Sequence, residues 1–258
     1  MNWYRIKTVL IFLFLAINIF LLTLLGAESL SKTRAAKEKG EAAGAALAQN
    51  GISVEVPVPY KTPKLGTLTL ENPKAEPETL AERILGGRAV QVGDAWRREG
   101  KILVLQERGF RYDSGMEAVI PEKKDVSRLR EELSNMGFSM EYAKGYREGE
   151  AVVFVQMPDG VQLFESALSV YPTADGTIAR MEGVWANITK KNYERRAIKP
   201  AADALLAFLR SGERGKITAI TCGYAVLRAE DGYRTADAIP VWKVETADGA
   251  VFYEDARQ

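Results

Sequence analysis

The chain has 258 residues, 47% hydrophobic and 27% charged, a balance that excludes a disordered polymer and points to a globular protein. Its 35 basic and 34 acidic residues leave a net charge of +1, which argues neither for nucleic acid nor for an anionic membrane surface as partner. Cys222 is the sole cysteine, so no internal disulfide forms, and the absence of His removes the commonest general base and metal ligand. No metal, cofactor or small-molecule substrate is predicted.

The first element is an apolar run from Val9 to Leu25, interrupted only by Asn18 and Thr23. As a helix it spans roughly 26 Å, close to the hydrocarbon thickness of a bilayer. Arg5 and Lys7 precede it and Glu28 follows it, so the positive-inside rule places the N-terminus in the cytoplasm and the rest outside. The run exceeds the apolar core of a secretory signal, and Leu24 or Leu25 would occupy the −3 position of a cleavage site. Residues 1–27 are therefore predicted to be a cytoplasmic stub and an uncleaved single-pass anchor. Asn18 falls beside its midpoint, where a polar group is unfavourable without a partner. Lys7, Ile11, Phe14, Asn18, Leu21 and Leu25 recur at spacings of three and four, a single stripe for partner binding. An amide there either bonds a polar group on another helix or is satisfied by its own backbone or water.

Residues 28–51, rich in Ala, Glu and Lys, continue as a helical stalk that Asn50-Gly51 ends. Ala36, Gly40, Gly44 and Ala48 form either a close-packing face or a spacer that two glycines loosen. Residues 52–120 are expected to form a first α+β subdomain. In it, "ISVEVPVPY" is an edge strand, "LGTLTLEN" and "KILVLQER" are further strands, and a helix from Glu78 to Leu85 starts at Pro77 and stops at Gly86-Gly87.

Residues 121–198 and 199–258 then share a layout. The first opens with an amphipathic helix that presents Val126, Leu129, Leu133 and Met136 on one face and stops at Gly137. The strands "AVVFVQM", "VQLFESALSVY" and "TIARMEGVWANI" follow, punctuated by "PDG" and "PTADG". The second opens at Pro200, runs through Ala204, Leu205, Phe208 and Leu209, and ends at Ser211-Gly212. It continues with "KITAITCGYAVL", "AIPVWKVE" and "AVFYED". The fold class is thus α+β: an N-terminal transmembrane helix, then an ectodomain of repeated units, each a helix covering one face of an antiparallel sheet.

Catalytic motifs are fragmentary. "SLSK" at Ser29–Lys32 matches S-x-x-K, but it sits in a stalk without the companion S-D-N or K-T-G. "GERGK" at Gly212–Lys216 lacks P-loop spacing. Cys222 lies in an apolar strand pattern with no His to activate it.

The opening "NWYRIKTVLIFLFLAINIFLL" resembles the N-terminus of YycI proteins, with its basic K-T and its Asn before "IFLL". The tail "ITCGYAVLRAEDGYRTADAIPVWKVETADGAVFYEDA" is similar to that family's final strands, a likeness shared with YycH and, loosely, with PepSY-like modules. The resemblance implies a non-enzymatic, membrane-anchored regulator that works with a YycH-like protein. It implies association with the WalK (YycG) sensor histidine kinase through transmembrane helices, in two-component control of cell-wall metabolism. The partner of the Asn18 stripe would then be a helix of the kinase or of the YycH-like protein. Two other readings stand beside it: a PepSY-like inhibitor or chaperone of exported enzymes, and an anchored hydrolase working through carboxylates.

Overall fold

The computed structural model describes residues 3–106, 109–122, 125–164, 166–192, 194–226 and 234–258; within their helices, the side chains of 3–6, 9, 24–30, 32 and 73 lie outside that description. The described residues are a mixture of helices and several sheets, as the α+β reading expects. In chain order, α1 is Trp3–Gln49, β1 Lys64–Leu65, β2 Leu68–Glu71, α2 Pro77–Leu85, β3 Val90–Val92, β4 Ala95–Arg98, β5 Lys101–Leu105 and β6 Phe110–Asp113. There follow α3 Asp125–Asn135, β7 Ala143–Glu148, β8 Ala151–Gln156, β9 Gln162–Leu163, β10 Ala167–Pro172, β11 Ile178–Val184, β12 Asn187–Lys191 and β13 Arg196–Ala197. The last elements are α4 Ala201–Arg210, β14 Ile217–Ala225, β15 Thr235–Thr246 and β16 Val251–Asp255.

The chain forms two compact units, with the divisions falling inside β14, β15 and β16. The first comprises Met1–Pro63, Lys199–Ile220 and Val244–Glu254. Here the apolar positions of α4, Ala202, Leu205 and Phe208, pack on Ala43 and Leu47 from the end of α1, with Ile52, Ile217 and Val244 closing the core. Phe208 meets Phe252 edge to face at 5.7 Å between centroids, a favoured aromatic geometry. α1 stops where Gly51 turns to φ 77, and the amide of Ile52 bonds back to the Leu47 carbonyl at 3.0 Å. The predicted strand at 52–60 is not one. It is an extended segment with a single parallel bridge, Val54 to Ile217, because the prolines at 57 and 59 remove amides a ladder needs.

The second unit holds an eight-stranded antiparallel sheet in the order β3-β4-β5-β6-β11-β10-β8-β7. Its inward side chains, among them Leu103, Tyr112, Val152, Phe154, Leu168 and Met181, share one core with the apolar sides of α2 and α3. α2 starts at Pro77, as predicted, and Gly86 caps it in the left-handed conformation (φ 80). On α3, Leu129 and Leu133 are buried and Val126 and Met136 pack beside them, the predicted face. Two predicted strands each divide. The run 161–171 becomes β9 and β10, and 177–188 becomes β11 and the start of β12, with β9 and β12 joining a different sheet. The buried Gln156 side chain sits at both breaks, accepting from the Ser166 hydroxyl and donating to the Ala186 carbonyl at 3.0 Å. Those bonds satisfy an otherwise costly buried amide, which no periodicity signals.

Among the described residues, no helix is long and apolar enough to cross a membrane. The apolar run read from the sequence is part of α1, and its side chains are described from Leu10 to Thr23.

Candidate functional site

The six residues of the predicted stripe all fall on α1. Their spacing of three and four sets them one above another on a continuous helix. Lys7 is exposed, Ile11, Phe14 and Leu21 are 66%, 69% and 49% exposed, and Asn18 is half-exposed; the side chain of Leu25 lies outside the described residues. Exposure is not confined to the stripe. Every large apolar side chain from Leu10 to Leu22 is 48–69% exposed, all round the helix.

Asn18 donates from Nδ2 to the Phe14 carbonyl at 2.9 Å, one turn back, and Thr23 does the same to Phe20 at 2.8 Å. Of the two readings of Asn18, the bond to its own helix is thus present. It uses one of two amide protons and leaves the carboxamide oxygen and the other proton for a neighbour.

Elsewhere, several polar groups that line a cavity or a motif are engaged with one another. The "PDG" turn, read as hairpin punctuation, places Asp159 at φ 56, with its carboxylate almost fully buried. It ion-pairs with Lys191 at 2.5 Å and with Arg195, and it accepts from the Tyr224 hydroxyl at 3.0 Å. Burial, reinforced by Asp159, holds the Tyr224 phenol above its ordinary range. This carboxylate is fully engaged and ties three segments together. The missed signal was the Asp-Gly pair itself, which permits the left-handed turn that points the carboxylate inward.

A cavity of about 230 Å³ between Gly66, Asn192, Arg196, Pro240 and Arg257 has its two arginines paired, with Glu194 at 2.9 Å and Asp255 at 2.7 Å. Cys222 is half-buried in β14, and burial pushes its thiol up to about 11, away from a reactive thiolate. Lys216 of "GERGK" is paired with Glu55 at 2.6 Å, in a turn after α4. Ser29 and Lys32 lie on α1, with both side chains outside the described residues. Among the described residues no group of three or more Cys, Asp or Glu has the placement of a metal site.

What these residues define is a mixed α+β protein whose candidate site is an exposed apolar helix face. The model of the YycI protein family matches residues 31–254, most of the chain, and the chain belongs to that family. The match begins after the stripe, so the helix face is carried by its own residues. The comparison with curated proteins finds no match. Among solved structures, the crystal structure of an uncharacterized protein from Eubacterium rectale ATCC 33656 is similar at 12% identity, covering 76% of this chain and 84% of that one, with a TM-score of 0.37. A likeness of that degree carries no argument.

Proposed function

We propose that the chain is a non-enzymatic regulator in the WalK/YycG two-component system. It is held in the cell membrane by the apolar half of α1, with its N-terminus cytoplasmic and its α+β part outside. The observation that carries the regulatory role is the family match over residues 31–254. The manner is supported by α1: a helix apolar on every side is stable only when a non-aqueous surrounding covers it, and none of the described residues does. Lys7, Ile11, Phe14, Asn18, Leu21 and Leu25 are the face offered to a transmembrane helix of the sensor kinase or of a YycH-like protein. Inside lipid, apolar side chains alone give helices no reason to associate, so packing along the stripe and the free valences of Asn18 supply the specificity. The test is an Asn18→benzoylphenylalanine variant, photo-crosslinked in native cells, with Leu13→benzoylphenylalanine as control. The kinase or a YycH-like protein trapped from position 18 and not from 13 is expected. Equal capture at both positions, or lipid alone at both, overturns the reading.

A further inference from the structure

The two edges of the eight-stranded sheet are built differently. At one edge, β7 exposes Lys144, Arg147 and Glu148, the charged decoration by which proteins keep a strand edge from pairing. At the other, β3 is Val90-Gln91-Val92, all three exposed, with the valines at 65% and 54% and no charge, proline or bulge among them.

The backbone of β3 is also open in a defined way. The two-residue turn Gly93-Asp94 makes Val92 and Ala95 the closing hydrogen-bonded pair of the hairpin. Alternation along an antiparallel ladder then makes Val90 and Arg97 the next bonded pair. The amide and carbonyl of Gln91 therefore point away from β4, toward whatever lies beyond the edge.

Beside this edge lies an open groove of about 390 Å³ with Val90 and Ile102 as its apolar floor and Arg88, Arg97, Arg98 and Lys101 around it. Val90, Arg97 and Ile102 form one cross-strand row, so floor and charge share a sheet face. Glu99 is the acid of the groove, and it pairs with Arg98, which also donates to the Leu85 carbonyl. Lys101 acts on Glu132 of α3 as well. Arg88 and Arg97 have no ion-pair partner among the described residues.

We propose that the β3 edge is a docking site for an acidic polypeptide segment that adds in extended conformation beside β3. Gln91 would bond its backbone, a side chain of the incoming strand would cover Val90 and Ile102, and flanking carboxylates would meet Arg88 and Arg97. Backbone pairing supplies affinity and alternate side chains supply selectivity, as in strand addition generally. The cationic surplus sets the sign of the partner's charge. The site stands whether or not α1 enters a membrane.

The experiment uses the full chain in detergent micelles and a fluorescein-labelled peptide of alternating Glu and Val, read by fluorescence polarisation. Saturable binding is expected, weakened by salt and weakened about tenfold by Arg88→Glu combined with Arg97→Glu. Gln91→Pro removes the outward amide without removing a β3–β4 bond, so it is expected to cost about tenfold in affinity at an unchanged melting temperature. Arg97→Lys is expected to retain binding. Absence of binding, equal binding of the Lys-Val counterpart, undiminished binding by Gln91→Pro, or binding only to phosphatidylglycerol vesicles each overturns the proposal.

Discussion

From Leu10 to Leu22, the first half of α1 presents large apolar side chains on every side at 48–69% exposure. From Gly40 to Ala48, the second half buries only a narrow stripe, Gly40, Ala43 and Leu47, and leaves Ala42, Ala45 and Ala48 exposed. One continuous helix thus leaves a run of large hydrophobes uncovered by any described residue, while its core-facing stripe holds Gly40, Ala43 and Leu47. Burial follows from what the chain packs against a segment, not from the segment's hydropathy alone. The second half buries Gly40 and Ala43 where α4 and the extended 52–58 segment come close, and Leu47 fills the core beside them. Among the described residues the first half has no such neighbour.

The largest expected effect lies in the packed half. Leu47→Ala empties a fully buried position against α4 and is expected to cost about 2–5 kcal/mol in urea melting of the full chain in micelles. Leu13→Ala, in the exposed half, should stay within about 0.5 kcal/mol. Comparable losses at the two positions would erase the contrast. Next comes Gly40→Leu: a Cβ at Gly40 already meets Val58 at 3.3 Å, so a large side chain must push the 52–58 segment outward, at about 1–3 kcal/mol. Unchanged stability would show that the segment gives way freely.

In the exposed half the readout is association. Asn18→Leu removes the amide that bonds Phe14 and offers its remaining valences outward. Co-purification with the kinase or YycH-like partner should weaken by about 0.6 kcal/mol, up to about 1–2 at most, with insertion intact. Leu13→Ala should do less, and equal effects would remove the stripe. The last effect is a gain. Gly44 has open space around its would-be Cβ, so Gly44→Ala should stabilise by up to about 1 kcal/mol through helix propensity. A loss would mean that this position is packed after all.

The contrast between the halves of α1 was only half legible from sequence. The apolar run, the stripe spacing and the stop at Asn50-Gly51 follow from composition and period. Whether the small residues at 36, 40, 44 and 48 faced a helix or loosened a spacer did not. In the structure α4 meets Ala43 and Leu47, and Gly40 lies against Val58 of a non-helical segment. Elements with local punctuation were readable: α2 by Pro77 and Gly86, α3 by Gly137, α4 by Ser211-Gly212. Elements decided by distant partners were not. Gln156 breaks two apparent strands through bonds to Ser166 and Ala186, and the short strands β3, β4 and β6 carry too few residues for a periodicity. The Asp159 cluster joins residues from 159 to 224, and no spacing rule connects them.

The central claim is that the exposed half of α1 sits in lipid while the packed half stands in water. Single-cysteine variants on a Cys222→Ser background test it most directly. Intact cells carrying Phe14→Cys or Ala42→Cys are treated with a membrane-impermeant maleimide, then relabelled after detergent. The account predicts that Ala42→Cys labels in intact cells, and that Phe14→Cys stays unlabelled until detergent is added and remains on a membrane-bound chain. Labelling of Phe14→Cys in intact cells, or a mature chain that begins beyond residue 27, would contradict it.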